Sequence, residues 1–284
     1  MIKVNDLEFA YRKSTGKAIK GISFDIDDGE IFGFLGPSGA GKTTTQRIII
    51  GLLRGYQGSV DVIGKERRMW GKDIFEKIGV AFDFPNLYEK LTAYENLALL
   101  GSYYKNNSLD KDQLLDSVGL LADRDKRVEK FSKGMKMRLN FIRSIMHDPE
   151  ILFFDEPTSG LDPVNGKIIR DMILDFKKKG KTVFLTTHNM NEADYLCDRV
   201  AFIVEGTIPV IDNPGELKIK YGQKSVKVSF NGDGKLQEEF FPLSGIGRNS
   251  RFLEVLNQDC VRTIHTQEAT LEDIFIKLTG RELL

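Results

Sequence analysis

The sequence is short of the features that mark secreted, membrane-spanning and nucleic-acid-binding proteins. Only two of its 284 residues are cysteines, Cys197 and Cys260, and they are isolated and show no metal-ligand spacing, as expected for free thiols in a reducing cytosol. The opening "MIKVNDLEFAY" lacks a signal-peptide core, and no apolar run approaches the ~20 residues of a spanning helix. Lysine and arginine (41) balance aspartate and glutamate (41), so bulk charge gives no sign of nucleic-acid binding. Any membrane role is therefore expected to come through a partner.

Strand and helix patterns alternate along the chain and indicate an α/β fold. "KVNDLEFAY" and "IKGISFDID" alternate apolar and polar residues, as half-exposed antiparallel strands do. "EIFGFLG", "EILFFDEP" and "KTVFLTTHN" are short apolar runs typical of buried strands, with helical stretches between them. This alternation predicts a parallel sheet covered by helices, and "DRVAFIVEGTIPVID" predicts a hairpin that closes it.

Two domains are expected, with a boundary near residue 216. Within the first, residues 84 to 144 have a mainly helical pattern. Residues 217–284 contain three short strand patterns and the helix "ATLEDIFIKLTG", whose Thr270 and Asp273 suit a capping box. They are expected to form a small α+β accessory domain. Four of its aromatic residues are expected in its core: Phe240, Phe241, Phe252 and Phe275.

A phosphate-binding loop is the strongest single signal. "GPSGAGKTT" matches G-x-x-x-x-G-K-[ST] in full, between a buried strand and a helix. Its glycines let backbone N–H groups point at an anion, and the helix N-terminus adds a positive end. Lys42 is expected to contact the β- and γ-phosphates and Thr43 to hold Mg²⁺. The alternative is a chance glycine-rich turn, which the strand–loop–helix context disfavours. The predicted phosphate-binding residues are Gly36, Pro37, Ser38, Gly39, Ala40, Gly41, Lys42, Thr43 and Thr44.

Acidic residues and a histidine follow two later strands. Asp155 ends "ILFFD", at the edge where ligands bind in open α/β sheets, and its carboxylate suits Mg²⁺. Glu156 can reach a water that attacks the γ-phosphate, and His188 at the end of "TVFLTTH" can contact that phosphate. Taken alone, the acidic pair could be a solvated turn and the histidine a structural residue. The phosphate loop favours the catalytic interpretation of all three.

These motifs together resemble the ATP-binding cassette (ABC) ATPases. "GPSGAGKTT", "FSKGMKMRL", "ILFFDEPTSGLDP" and "TVFLTTH" stand in that family's order and spacing, through about residue 215. "FSKGM" resembles the signature LSGGQ: Ser132 and Gly134 match, while Lys133 and Met135 replace a glycine and a glutamine. The resemblance implies an α/β fold with a P-loop NTPase core of mixed parallel sheet, an antiparallel β subdomain and a helical signature subdomain at about 84–144. This ATPase domain would span residues 1–216.

The resemblance also implies a composite site. In that family the signature faces the γ-phosphate held by a second subunit, so that two ATP molecules lie between two head-to-tail subunits. Ser132 and Gly134 would then cap the partner's nucleotide, and Asp162 in "SGLD" would help position the opposite site. The alternative for Ser132 is an ordinary helix cap.

The resemblance also implies roles for two further residues, Tyr11 and Asp83. Tyr11 resembles the aromatic residue that stacks on adenine; the alternative is a tyrosine packed on the sheet. Asp83 stands where a glutamine normally touches the metal or the attacking water. Aspartate is a good Mg²⁺ ligand, but it is shorter and adds negative charge near the phosphates. An alignment slip of one residue would remove Asp83 from this role.

The function implied is hydrolysis of ATP with Mg²⁺ by in-line attack of water. "FPNLYEKLTAYENL" and "EATLEDIFIKLTG" look most like the bacterial exporter branch, whose permease is a separate chain. The expected partners are a transmembrane permease, docked near residues 84–88 unless these pack in the core, and a second ATPase subunit, identical or related. Nucleic acid is not an expected partner, and the expected location is the cytoplasmic face of the membrane. The alternatives are a soluble ABC-type ATPase that remodels a ribosome or nucleic-acid complex and a small-molecule phosphate-loop kinase. The kinase does not explain "FSKGM".

Overall fold

A computed structural model describes residues 1–12, 16–105, 109–222, 225–232, 235–257, 260–267 and 269–280. They form two compact units, Met1–Asp212 and a second unit that begins at Asn213. The assignment of residues 1–216 to an ATPase domain and of 217–284 to an accessory domain stays a prediction, and residues 281–284 lie outside the described part of the chain.

A six-stranded mixed sheet runs through the first unit. Its strands are β3 (Ile31–Leu35), β6 (Ile78–Ala81), β7 (Ile151–Asp155), β8 (Thr182–Thr187), β9 (Arg199–Val204) and β10 (Thr207–Asp212). The order is β10-β9-β3-β8-β7-β6. Neighbours are parallel except β10, which pairs antiparallel with β9. The predicted parallel core and its closing hairpin are therefore both confirmed.

The apolar runs of β3, β7 and β8 are buried along their full length. Rings from these strands, Phe32, Phe34, Phe153 and Phe184, pack together with Phe24 from a second sheet. Burying an aromatic side chain of this size contributes about 1.5–3 kcal/mol. This packing holds the ends of β3, β7 and β8 in fixed positions.

That second sheet is four-stranded and antiparallel. Its strands are β1 (Ile2–Phe9), β2 (Ile19–Ile26), β4 (Gln57–Val62) and β5 (Lys65–Glu66), in the order β2-β1-β4-β5. Apolar residues of β1 and β2 point inward and polar residues outward, which confirms the alternation found in the sequence.

Helices of the first unit are α1 (Lys42–Ile49), α2 (Ala93–Gly101), α3 (Lys111–Ser117), α4 (Lys133–Ile145), α5 (Pro163–Lys178) and α6 (Met190–Leu196). Three of them, α2 to α4, come from the predicted helical stretch. A capping box of Thr92 and Glu95 begins α2, and Asp162 caps α5, which ends before Gly180 at φ +74°. Among the described residues, no helix combines the length and apolar character needed to cross a membrane.

In the second unit, three strands form an antiparallel sheet in the order β12-β11-β13. They are β11 (Ser225–Gly232), β12 (Lys235–Pro242) and β13 (Val261–Gln267), with helices α7 (Pro214–Tyr221), α8 (Ser250–Leu256) and α9 (Leu271–Thr279). The capping box of Thr270 and Asp273 is present at the start of α9.

One prediction about the second unit's aromatic residues is wrong. Phe241 and Phe275 are buried and Phe252 is half-buried, but Phe240 is 58% exposed. Neighbouring residues of a strand point to opposite faces, so Phe240 faces outward when Phe241 faces the core. The ammonium of Lys227 lies 5.9 Å from the Phe240 ring centre.

Candidate active site

The candidate site lies where β3, β7 and β8 end. Because these strands are parallel neighbours, their carboxyl ends meet at one edge of the sheet. The loop from β3 to α1, the residues after β7 and those after β8 therefore come together. A cleft at this edge is lined by Ser38, Gly39, Gly41, Lys42, Thr43, Thr44, Asp83, Asp155 and Glu156.

Glycines give the phosphate loop its path. Gly39 and Gly41 have φ of +78° and +117°, which only glycine adopts readily. Gly36 passes close to β9: a Cβ there would lie 2.1 Å from the carbonyl oxygen of Ile203. Larger residues at these positions would displace the loop backbone, which is the part expected to bind an anion.

Lys42 is held inside the loop. Its ammonium donates to the carbonyl oxygens of Gly36 (2.5 Å) and Pro37 (3.1 Å). Burial lowers the pKa of Lys42, and the nearby carboxylates of Glu156 and Asp155 oppose that shift. An anionic ligand in the cleft would therefore find a positioned, poorly hydrated cation.

Asp155 is a buried carboxylate next to this cation. It is 3% exposed and accepts hydrogen bonds from the hydroxyls of Thr186 and Thr43, the latter at 3.3 Å. Burial raises the pKa of Asp155 most; the carboxylates of Asp83 and Glu156 raise it further, against the two threonine hydrogen bonds. Sequence reasoning missed Thr186, since a threonine inside a buried strand shows no sign of its partner.

Asp83 lies in the same cleft, just beyond the end of β6. Asp83, Asp155 and Glu156 thus line the same cleft as Lys42. Oxygen donors of this kind suit Mg²⁺, which is commonly held by one or two carboxylates plus phosphate oxygens and water. Among the described residues, no group of three or more His, Cys, Asp and Glu side chains could hold a metal alone. The donors present fit a metal shared with a bound phosphate.

Glu156 is fixed by residues at the end of β8. One carboxylate oxygen, Oε1, accepts from the backbone N–H of His188 (2.9 Å) and from its ring Nδ1 (2.7 Å). The other oxygen accepts from the hydroxyl of Thr187 (3.2 Å). Glu156 also has φ +50°, a strained conformation for a residue with a side chain. The structure thus pairs the two predicted catalytic residues, Glu156 and His188, directly.

Tyr11 stands beside the phosphate loop. Its hydroxyl is 3.0 Å from the Thr44 hydroxyl, and its ring meets Phe9 edge-on at 5.0 Å. The side chain is 42% exposed, so part of its surface is available for stacking. This arrangement fits an adenine-stacking residue better than a tyrosine buried on the sheet.

The signature residues Ser132 and Gly134 lie at the N-terminal end of α4, close to the "SGLD" loop. Ser132 caps α4 by accepting from the backbone N–H of Met135 (3.2 Å), and Gly134 lies near Leu161 and Gly160. Of the described residues that line the cleft, none belongs to α4. The signature therefore lies next to the chain's own "SGLD" loop and does not line the cleft of its own phosphate loop.

Asp162 ends that loop and caps α5. Its oxygens accept from the backbone N–H groups of Val164 and Asn165 (both 3.1 Å) and from the Asn165 side chain. These hydrogen bonds lower the pKa of Asp162. The cap gives Asp162 a structural role within the chain; the predicted role across a dimer stays a prediction.

A phosphate loop, a buried aspartate and a glutamate–histidine pair at one sheet edge define a nucleotide-binding protein of the phosphate-loop class. Comparison with known proteins gives the family. Residues 19–159 match the model for the ABC transporter family, and residues 224–268 match the fluoroquinolone efflux ABC transporter C-terminal domain.

Relatives match over nearly the whole chain. The fluoroquinolones export ATP-binding protein of Mycobacterium tuberculosis is 51% identical, covering 100% of this chain and 94% of that protein. The bacitracin transport ATP-binding protein of Bacillus licheniformis is 34% identical, covering 99% and 97%. A dimeric ATP-binding cassette solved in a post-hydrolysis state with ADP and Pi is 25% identical, with a TM-score of 0.69 over 75% of this chain and 98% of that one. The chain belongs to the ABC transporter ATP-binding family and is an ATPase.

Proposed function

We propose that this chain is the motor subunit of a membrane exporter that works with a separate permease and carries fluoroquinolone-like drugs. One observation carries the proposal: the 51% identity to a fluoroquinolones export ATP-binding protein extends over the whole chain. The match of residues 224–268 to a fluoroquinolone efflux C-terminal domain supports it independently of the shared ATPase motifs. A ribosome- or DNA-remodelling ATPase has no comparable support.

Within the site, each residue has a role that its position supports. The loop N–H groups and Lys42 would hold the β- and γ-phosphates, and Tyr11 would stack on the adenine. Thr43, Asp155 and Asp83 would hold Mg²⁺, which neutralises phosphate charge when it is bound. These groups position ATP for in-line attack.

Glu156 and His188 would act on the attacking water and the transferred phosphoryl group. Glu156 lines the cleft, and its two carboxylate oxygens are hydrogen-bonded by His188 and Thr187. It would orient the water or accept its proton. With Nδ1 bound to Glu156, His188 would contact the γ-phosphate through Nε2.

A second ATPase subunit would complete the site. Ser132 and Gly134 do not line their own chain's cleft, but the N-terminus of α4 with the Ser132 hydroxyl suits the γ-phosphate of a partner. Asp162 would come from the same partner. ATP would favour the closed pair only by binding it more tightly than the open form.

The permease would dock near residues 84–88. Phe84 is 71% exposed and Tyr88 49% exposed, so these aromatic residues are surface residues and not core packing. Exposed large apolar residues close together favour a protein partner. Docking there would place the chain at the cytoplasmic face of the membrane.

Purification of the tagged protein from detergent-solubilised membranes tests the proposal. We expect a membrane-integral partner, identified by mass spectrometry, and we expect co-expression of both chains to lower cellular accumulation of a fluoroquinolone. Glu156→Gln in the same cells is the control, because it should leave the complex intact and abolish the effect on accumulation. Recovery of ribosomes or DNA instead of a membrane protein would contradict the proposal.

A further inference from the structure

A buried carboxylate behind the candidate site has no role in the mechanism so far. Glu192 lies in α6, four residues after His188, and is only 4% exposed. Carboxylates are rarely buried this fully unless they are paired or hydrogen-bonded. Its contacts therefore indicate what it does.

Glu192 connects the two loops that carry the catalytic pair. Its Oε1 accepts from the hydroxyl of Thr158 (2.7 Å), two residues after Glu156. Its Oε2 is 3.3 Å from the hydroxyl oxygen of Thr187, the residue before His188. Glu192 thus ties the end of β7 to the end of β8 from inside the protein.

Thr187 stands between two carboxylates. Its hydroxyl oxygen is 3.2 Å from Glu156 Oε2 and 3.3 Å from Glu192 Oε2, and it accepts from the backbone N–H of Asn189 at 3.0 Å. A hydroxyl has one hydrogen to donate and two lone pairs to accept with. If both carboxylates were ionised, one of them would face a lone pair of Thr187 inside the protein.

Protonation of Glu192 satisfies every group in this network. Glu192 then donates to Thr187, Asn189 donates to the second lone pair, and the Thr187 hydrogen goes to Glu156. Thr158 still donates to the remaining oxygen of Glu192. Hydrogen-bond counting therefore favours one neutral acid beside Thr187, and Glu192 is more deeply buried than Glu156.

The charges around Glu192 favour the same assignment. Burial raises the pKa of Glu192 most, and the carboxylate of Glu156 raises it further. Hydrogen bonds from Thr158 and Thr187 oppose the shift, as does the guanidinium of Arg170 on α5. The net direction is upward.

Other titratable groups face Glu192 from the elements around it. Burial raises the pKa of the thiol of Cys197, just after α6, and an ionised Glu192 would raise it further. Lys167 and Asp171 of α5 and Tyr195 of α6 share a surface cleft with Glu192. The groups in the cleft beside Glu192 therefore carry both positive and negative charge. Away from the cleft, Glu192 contacts Thr187 and Thr158.

We propose that Glu192 is a positioning residue, held as the neutral acid, which orients the Glu156 carboxylate through the hydroxyl of Thr187. His188 fixes one oxygen of Glu156 and the Glu192–Thr187 pair fixes the other. This inference rests on the proposed role of Glu156 in hydrolysis. A carboxylic acid kept neutral in order to donate a hydrogen bond has precedent in enzyme sites.

Substitutions at Glu192 distinguish the neutral acid from an ionised carboxylate. In Glu192→Gln, the amide can donate to Thr187 and accept from Thr158, so kcat of the purified full chain should stay within roughly threefold of wild type. Glu192→Ala removes both contacts and should lower kcat about tenfold or more, with ATP affinity unchanged. A glutamine variant as inactive as the alanine variant would overturn the neutral-acid assignment, and an alanine variant with normal kcat would overturn the positioning role.

Thr187 variants test the connection itself. Thr187→Val should lower kcat as Glu192→Ala does, Thr187→Ser should restore it, and Glu192→Ala should add little in the Thr187→Val background. If the losses of kcat from the two substitutions add up in the double variant, Glu192 and Thr187 do not act through the same hydrogen bond, and the proposal is overturned.

Infrared spectroscopy needs no turnover and keeps the two proposals separable. The C=O stretch of a protonated carboxylic acid should be present in wild type, absent in Glu192→Gln and retained in Glu254→Gln, which changes an exposed carboxylate. Absence of that band from wild type would refute the protonation state even if the alanine variant failed to fold. Wild-type protein that shows the band but hydrolyses no ATP would instead contradict the proposed function.

Discussion

Replacement of Glu156 by glutamine should separate nucleotide binding from hydrolysis. Glutamine has the same length, and its carbonyl oxygen can accept both hydrogen bonds from His188, at 2.9 and 2.7 Å in the structure. Its amide can donate to Thr187, whose hydroxyl lies 3.2 Å away. The geometry is therefore retained, and the loss is that of a proton acceptor. That loss should lower kcat about 10²–10⁴-fold, which corresponds to about 3–5 kcal/mol of barrier.

Phosphate release measures the turnover, and equilibrium binding of ATP measures the affinity. We expect ATP affinity of Glu156→Gln to match wild type and size-exclusion chromatography with ATP to show an accumulated dimer. Glu254→Gln, an exposed residue of the second unit, is the matched control and should change neither quantity. Equal turnover in Glu156→Gln and wild type would refute the role given to Glu156.

Three further predictions concern the loop, a glycine and a thiol. Lys42→Ala should abolish ATP binding by calorimetry, and unchanged affinity would contradict the phosphate-loop assignment. Gly51→Ala should lower the free energy of unfolding in urea by about 2–5 kcal/mol, because its φ is +84° and the new Cβ would lie 1.9 Å from Arg67 Nη2. Gly64→Ala, at φ +68° with open space around it, should be destabilised only by backbone strain, about 1–2 kcal/mol. Equal losses of unfolding free energy in the two variants would argue against the clash at Gly51. Burial raises the pKa of the Cys197 thiol, so mass spectrometry should find it alkylated only after denaturation; rapid labelling of folded protein would refute its burial.

Features that depend on residues close together in the sequence were predictable from the sequence alone. The phosphate loop is one continuous segment with its own glycines, lysine and helix start, and the structure has that loop at the predicted position. Asp155 and His188 follow apolar runs, and parallel strands bring such ends to one sheet edge. The helical stretch, the closing hairpin and the capping box of α9 likewise depend on short-range patterns.

Features that depend on distant residues were not predictable. Phe240 and Phe241 are neighbours in an apolar stretch, and only strand pairing determines which of them faces the core. Thr186 is an ordinary strand residue in the sequence, and its hydrogen bond to Asp155 crosses from β8 to β7.

The sequence by itself therefore determined which chemical groups this ATPase has and the edge of the sheet at which they gather. Only the tertiary structure decided how each carboxylate oxygen is hydrogen-bonded. It also placed Glu192, a residue in no recognised motif, where it contacts Glu156 through Thr187. The physical reason is that periodicity and spacing record a residue's own strand or helix. A hydrogen bond between side chains, however, depends on distances of a few ångströms between elements that pack together only in the folded chain.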